Sequence, residues 1–60
     1  RSQGLGQQLM TAMLDLLKAK GYPSVSLSVS KDNPAVRFYQ RLGFVTVEER
    51  EDNYLMLCRL

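Results

Sequence analysis

Histidine is absent from this 60-residue chain, and Cys58 is its one cysteine. A mixed cysteine–histidine zinc site is therefore impossible, and a single thiol cannot build an all-thiolate site. An internal disulfide is excluded as well, and no histidine could activate Cys58 as a nucleophile. We expect Cys58 to be a small buried hydrophobic residue in a strand, in a cytoplasmic protein that uses no metal.

Charge of one sign and long apolar runs are also scarce. Eight basic and six acidic residues leave a net charge of +2, and the basic residues are scattered. This balance does not favour a nucleic-acid partner, and no apolar run approaches the length that spans a membrane. The acidic residues Glu48, Glu49 and Glu51 could attract a basic substrate, but a solvated strand edge is the favoured interpretation.

The short length makes the stability of the chain marginal. A chain of this size buries only about 60% of the surface that its unfolded form exposes. Such chains usually need a disulfide, a metal or a partner, and composition excludes the first two. We therefore expect either a homodimer or packing against a missing N-terminal half.

The hydrophobic pattern predicts five elements in the order helix, strand, helix, strand, strand. A helix is expected over residues 4–19, because leucines and methionines recur at helical spacing and Gly21 and Pro23 then stop it. Leu5, Leu9, Met13, Leu16 and Leu17 form its apolar stripe, which Met10 and Leu14 widen. The strict alternation of SVSLSVS predicts a strand over Ser24–Ser30 with its serines on one face.

The second half of the chain predicts a short helix and a hairpin. The helix, about nine residues long, should start at Pro34, be capped by Asp32 or Asn33, and end at Gly43. Residues 44–51 and 54–60 predict two strands joined by a tight turn at Asp52-Asn53. A strand–helix–strand crossover normally joins parallel strands. The expected fold is therefore α/β (α+β mixed), one partial domain over residues 1–60 with a mixed sheet.

Two glycines, Gly4 and Gly6, stand at the start of the predicted first helix. A helix start has unpaired backbone N–H groups and the positive end of the helix dipole, and glycine lets an anion approach closely. For two glycines taken alone, a loop with flexible glycines is the favoured interpretation. A Walker loop is excluded because no Gly-Lys-Ser/Thr follows, and the Rossmann fingerprint lacks its third glycine.

Two segments together resemble the GNAT family of N-acetyltransferases. The first is Arg1-x-x-Gly4-x-Gly6, which is similar to the family motif Arg/Gln-x-x-Gly-x-Gly/Ala. The second is similar to the family segment N-x-A-x-x-F-Y-x-x-x-G-F, and consists of Asn33, Ala35, Phe38, Tyr39, Gly43 and Phe44. The resemblance implies the C-terminal half of an acyl-CoA N-acyltransferase fold, which transfers an acetyl group from acetyl-CoA to a primary amine.

The first motif implies a coenzyme A site. By the resemblance, backbone N–H groups around Gln3, Gly4, Leu5 and Gly6 hold the coenzyme pyrophosphate, and Arg1 adds positive charge at the start of the loop. Arg1 could equally be a frayed terminus. The amine acceptor, protein or small molecule, is not indicated.

The second motif implies two further roles. Asn33 matches the position whose side chain commonly bonds the pantetheine arm, and Tyr39 matches the residue often proposed to protonate the departing thiolate. A tyrosine phenol has an ordinary pKa of about 10, so it can donate a proton at neutral pH. The plainer interpretations are that Asn33 is only a helix cap, and that Tyr39 is a core residue like Phe38 and Phe44.

The resemblance also implies elements that would precede the first helix. They include a strand that lies along pantetheine and neighbours the serine-rich strand, together with the general base and much of the acceptor site. We therefore expect these sixty residues alone to be inactive or a poor catalyst. The alternatives are a non-catalytic module that binds coenzyme A or another nucleotide diphosphate, and a small structural or interaction domain.

Overall fold

The computed structural model describes residues 2–60, with side chains from Gly4 onward. The elements are α1 (Ser2–Ala19), β1 (Ser24–Ser30), α2 (Ala35–Leu42), β2 (Val45–Glu49) and β3 (Asn53–Arg59). The predicted order of elements is confirmed, and boundaries differ from prediction by one or two residues. The described part of the chain has no helix both long and apolar enough to cross a membrane.

The end of α1 is the glycine stop that the sequence predicts. Gly21 has a φ of +92°, in the left-handed region that glycine adopts without strain. Its N–H donates to the Lys18 carbonyl at 3.0 Å, and the Tyr22 N–H donates to the Leu17 carbonyl at 3.1 Å. These two bonds form a Schellman cap, which satisfies carbonyls at the helix end and turns the chain toward β1.

Asn33, one of the two predicted cap residues, lies one residue before the N-cap position of α2, and its side chain bonds the first helical N–H. The Asn33 Oδ1 atom accepts a hydrogen bond from the Ala35 N–H at 2.9 Å. Pro34 occupies the N-cap position, so the helix begins one residue later than predicted. Gly43 ends it as predicted, with a φ of +107°.

The sheet has the strand order β1-β3-β2, and both of its strand pairs are antiparallel. β1 and β2 point the same way, as the crossover requires, but β3 lies between them. The predicted mixed sheet is therefore wrong for the described residues. The reason is burial: β3 contains Met56, which has no exposed surface, and takes the centre, whereas β2 carries a bulge and two glutamates that suit an edge.

The hairpin turn differs from prediction by one residue. The Arg50 N–H donates to the Asn53 carbonyl at 2.9 Å, so Glu51 and Asp52 occupy the centre of the turn. Asn53 is already the first residue of β3.

Both helices lie on one face of the sheet and enclose the core. The core residues are Leu14, Val29, Phe44, Met56 and Cys58, so the expected burial of Cys58 is confirmed. The Cα atoms span 34 × 30 × 12 Å, the thickness of one helix layer on one sheet. The other face of the described sheet exposes Val45 and Val47 of β2 and, across β3, the β1 serines.

α1 has two apolar faces. The structure buries the face with Met10 and Leu14, which the sequence indicated only as a widening of the main apolar stripe. Leu14 is buried, and Met10 packs against the same core. The other face, here termed the exposed ridge, stays in solvent with exposed fractions of 42–72%. It consists of Leu5, Leu9, Met13 and Leu16.

None of the ridge residues lines the cavity that Thr11, Asp15 and Lys18 form with Leu42 and Leu60. The ridge lies about 150° around the helix from those three residues, at 100° per residue. In the described sheet β1 pairs with β3 alone, and its other edge, here termed the free edge, is unpaired.

Candidate functional site

The two helix starts and the carboxyl end of β1 meet at one end of the molecule. Near this end Gly6 of α1 faces Phe38 of α2, while farther along Leu14 shares a cavity with Leu42. The helices therefore run side by side in the same direction. Because the positive ends of two helix dipoles point the same way, this end favours an anionic ligand.

Gly4 is the open position of the first motif. A Cβ atom placed on Gly4 would have nothing within 4 Å. The residue lines a groove of about 510 Å³ with Gln7, Gln8 and Thr11. α1 begins at Ser2, so Gly4 belongs to the first turn, whose N–H groups have no acceptor inside the helix. No described side chain occupies the Cβ direction of Gly4.

The other residues of the first motif are placed differently. Gly6 lies beyond the first four N–H groups of α1, and a Cβ atom there would come within 3.9 Å of Phe38 Cζ. Leu5 is 60% exposed on the ridge. Gln3 is part of α1, whereas Arg1 lies outside the described residues.

Asn33 lies at the start of α2 with an exposed side chain. Its Oδ1 atom is used for the cap, as the 2.9 Å bond from the Ala35 N–H shows. Its Nδ2 group makes no hydrogen bond with the described residues. The Oδ1 atom thus serves the first N–H of α2, and the amide keeps two donors for a ligand carbonyl.

Tyr39 is half-buried and packs against the core. Its ring lies edge-on to Phe38, with centroids 5.6 Å apart, and edge-on to Phe44 at 5.7 Å. Within the described chain, the Tyr39 phenol oxygen is not left buried without a hydrogen-bond partner. The ring thus fills the core while the hydroxyl is at its rim, an arrangement that suits both interpretations of this residue.

A group of contacts around the Lys31 ammonium, at the carboxyl end of β1, was not predicted. Lys31 Nζ lies 2.7 Å from Glu49 Oε2 and 5.4 Å from the centroid of the Tyr54 ring. The hydrogen bond to Glu49 raises the pKa of Lys31 above its ordinary value. Lys31 directly follows β1, whereas Glu49 lies in β2 and Tyr54 in β3, so the arrangement of the strands brings them together. No sequence pattern could have shown this cluster.

The acidic residues of the hairpin are solvent-exposed, as expected for a strand edge. Glu48 Oε2 accepts a hydrogen bond from Arg50 Nε at 2.9 Å, and both side chains are more than half exposed. Glu49 is held by Lys31. Glu48 and Glu49 are therefore each paired with a basic residue.

Comparison with known proteins places these motifs in one family. The family model described as "Acetyltransferase (GNAT) domain" matches residues 1–57. The mycothiol acetyltransferase of Corynebacterium aurimucosum is 50% identical over 50 residues, which cover 82% of this chain and 16% of that protein. The N-alpha-acetyltransferase 30 of Schizosaccharomyces pombe is 38% identical over 56 residues, covering 92% of this chain and 37% of that protein.

A second bacterial relative gives the same picture. The mycothiol acetyltransferase of Clavibacter michiganensis is 48% identical over 44 residues, which cover 72% of this chain and 14% of that protein. The chain thus spans between 14% and 37% of the length of these curated relatives. No solved structure matches it significantly.

Proposed function

This chain belongs to the GNAT acetyltransferase family, and from that premise we propose that it is the coenzyme A-binding part of an N-acetyltransferase. The observation that carries the proposal is the open first turn of α1 at Gly4, within a family match over residues 1–57. Acetyl-CoA is the proposed cosubstrate, and a primary amine the proposed acceptor. The buried free thiol of Cys58 fits a cytoplasmic location.

The proposed pyrophosphate site is the first turn of α1. The N–H groups of this turn, with Gln3 and Gly4, would donate to the phosphate oxygens, and Arg1 would add charge. Because Gly4 carries no side chain, the diphosphate can lie directly against the backbone. Leu5 and Gly6 would support this turn from the adjoining backbone.

The proposed pantetheine contact is Asn33. Its carbonyl is occupied by the helix cap, so its Nδ2 group is the part that would donate to an amide carbonyl of the pantetheine arm. The cap bond also restricts rotation of the side chain. A fixed donor contributes more to the binding free energy than a mobile one, because less side-chain entropy is lost on binding.

The proposed proton donor is Tyr39. When the amine nitrogen bonds to the acetyl carbon, the carbon–sulfur bond breaks and the electron pair leaves on sulfur. Tyr39 would give its phenolic proton to that thiolate, and the amine proton would pass to a base. Edge-on packing against Phe38 and Phe44 holds the ring, so that the hydroxyl needs little reorganisation.

Titration with acetyl-CoA, followed by backbone amide resonances, tests the binding proposal. We expect shifts clustered in residues 3–8 and 33–39. An absence of shifts in both segments would leave only a structural domain.

The variant Tyr39→Phe in the intact protein tests catalysis. We expect a rate at least about tenfold lower with nearly unchanged coenzyme affinity, since the proton transfer is lost but the ring is kept. Tyr22→Phe is the matched control, because Tyr22 is 55% exposed beyond the far end of α1. If Tyr39→Phe retains the full rate, the chain binds the coenzyme without Tyr39 acting as the acid.

The exposed ridge and the free edge support a larger catalytic domain. We propose that a further strand of the same polypeptide pairs with β1 and is covered by Leu5, Leu9, Met13 and Leu16. Such a strand would bury the apolar side chains that now face solvent. The sixty residues alone should then be inactive, and robust acetylation of several amines by this chain would contradict the proposal.

A further inference from the structure

We propose that Phe38 is a positioning residue that links the start of α1 to Tyr39. The link consists of two contacts. Phe38 Cζ lies 3.9 Å from where a Cβ atom of Gly6 would be, and the Phe38 ring lies 5.6 Å from the Tyr39 ring. The function of this link depends on the proposed role of Tyr39, whereas the link itself is structural.

Gly6 lies where α1 and α2 come close together near their starts. The distance between two packed helices depends on the side chains at their contact, and here one helix offers only backbone. An alanine Cβ at 3.9 Å would make an ordinary contact, but a branched side chain would have to displace the Phe38 ring. Gly4 differs, because nothing lies within 4 Å of its Cβ direction. The two glycines of the first motif therefore have different surroundings.

Tyr39 is held between one fixed ring and one adjustable ring. On one side is Phe44, which is 1% exposed and packed in the core. On the other side is Phe38, half-buried, at an interplanar angle of 66°. Consecutive residues of a helix point about 100° apart, so Phe38 faces α1 while Tyr39 faces the core. Because Phe44 is fixed in the core, a displacement of the Phe38 ring should move the Tyr39 ring and leave Phe44 in place.

This arrangement joins the proposed diphosphate site to the proposed acid. Gly6 follows the first turn of α1 directly, so ordering of that turn by an anion fixes the Gly6 backbone. Phe38 lies next to the Cβ direction of Gly6 and edge-on to Tyr39. We infer that occupancy of the first turn narrows the range of orientations that the Tyr39 hydroxyl samples.

The test compares Gly6→Val with Gly4→Val by NMR, without ligand. Both variants add the same side chain to the same helix. Gly6→Val should shift the ring resonances of Phe38 and Tyr39, and Gly4→Val should leave them in place. If Gly6→Val proves unfolded, Phe38→Leu provides the comparison, because it removes the Phe38 ring without adding a side chain to α1, and the Tyr39 ring resonances should then shift. Equal effects of the two valines, or an unmoved Tyr39 ring, would overturn the proposal.

A double-mutant cycle in the intact protein tests the consequence for the reaction. Phe38→Leu should lower kcat by about tenfold and change the acetyl-CoA Kd by less than about twofold. Gly6→Val should have little additional effect once Phe38 is leucine, because the contact is already lost. Strictly additive effects would contradict the link. An unchanged rate in Tyr39→Phe, with the NMR coupling intact, would instead refute the proposed function alone.

Discussion

At the scale of single residues, the backbone angle and the space around a side chain decide the effect of a change. Gly43 has a φ of +107°, and a Cβ atom there would lie 3.7 Å from Cys58 Sγ. The space is adequate but the backbone conformation is unfavourable for any other residue. Gly4 has ample space and lies in a helix. The same substitution at these two glycines should therefore have opposite effects.

Gly43→Ala should lower the free energy of unfolding by about 1 kcal/mol, because alanine is strained in the left-handed region. Gly4→Ala should raise it by about 0.5 kcal/mol, since alanine favours the helix. Urea unfolding followed by circular dichroism measures both. A neutral Gly43→Ala would show that the helix end can be rebuilt without a left-handed residue.

The Lys31–Glu49 pair predicts a pH dependence of stability. The pKa of Lys31 is raised in the folded protein by its hydrogen bond to Glu49. The contribution of protonated Lys31 to the free energy of unfolding is therefore complete below the ordinary lysine pKa. It is lost as the pH rises through the raised pKa of Lys31 in the folded protein. Because the pair is partly exposed, the effect is small.

Thermal unfolding between pH 8 and about 11.5 tests this dependence around the ordinary lysine pKa. The melting temperature of the wild type should fall more steeply at the alkaline end than that of Lys31→Gln. Lys20→Gln, at the end of α1, controls for the loss of one lysine. Parallel curves for all three proteins would show that the pair contributes nothing.

At the scale of elements, α1 is the informative helix because its two apolar faces have different surroundings. Leu14 is 8% exposed and belongs to the core, whereas Leu9 on the ridge is 72% exposed. The amount of apolar surface removed from water determines what each leucine contributes. The two residues therefore report separately on the core and on the ridge.

In the sixty-residue chain, Leu14→Ala should cost about 2–4 kcal/mol and Leu9→Ala less than about 0.5 kcal/mol. In a longer polypeptide whose added strand covers the ridge, the cost of Leu9→Ala should approach that of Leu14→Ala. Urea unfolding of both variants in both proteins makes the comparison. A small cost for Leu9→Ala in the longer protein would show that the ridge remains uncovered there.

At the scale of the whole molecule, the two edges of the sheet are unequal. β2 is interrupted by a bulge between Thr46 and Glu48 and carries two glutamates. β1 is a regular seven-residue strand without charge. Bulges and charges discourage edge pairing, and their absence invites it. The free edge of β1 is therefore where the isolated chain should associate.

Sedimentation velocity over a range of concentrations tests this expectation. The wild-type chain should self-associate as its concentration rises, and the double variant Ser26→Lys/Ser28→Lys should remain monomeric. Thr46→Lys is the control on the β2 edge and should behave as the wild type does. A wild-type chain that stays monomeric at every concentration would show that the free edge is protected by other means.

The sequence by itself determined the local structure and the family. Alternation in SVSLSVS, and the glycine stops at Gly21 and Gly43, are short-range signals that specify a strand and two helix ends. The motif residues Gly4, Asn33 and Tyr39 carried the resemblance to the GNAT family, which the family match over residues 1–57 confirms. These features depend on neighbours along the chain, which a sequence displays directly.

Tertiary structure alone decided the strand order, the buried face of α1 and the contacts between motifs. Two apolar faces on α1 are equivalent in sequence until the position of the sheet selects Leu14 over Leu9. β3 inserts between β1 and β2 because its burial is greatest at the centre. The Gly6–Phe38 contact joins residues 32 positions apart. Such choices depend on which surfaces meet in space, and spacing along the chain does not encode them.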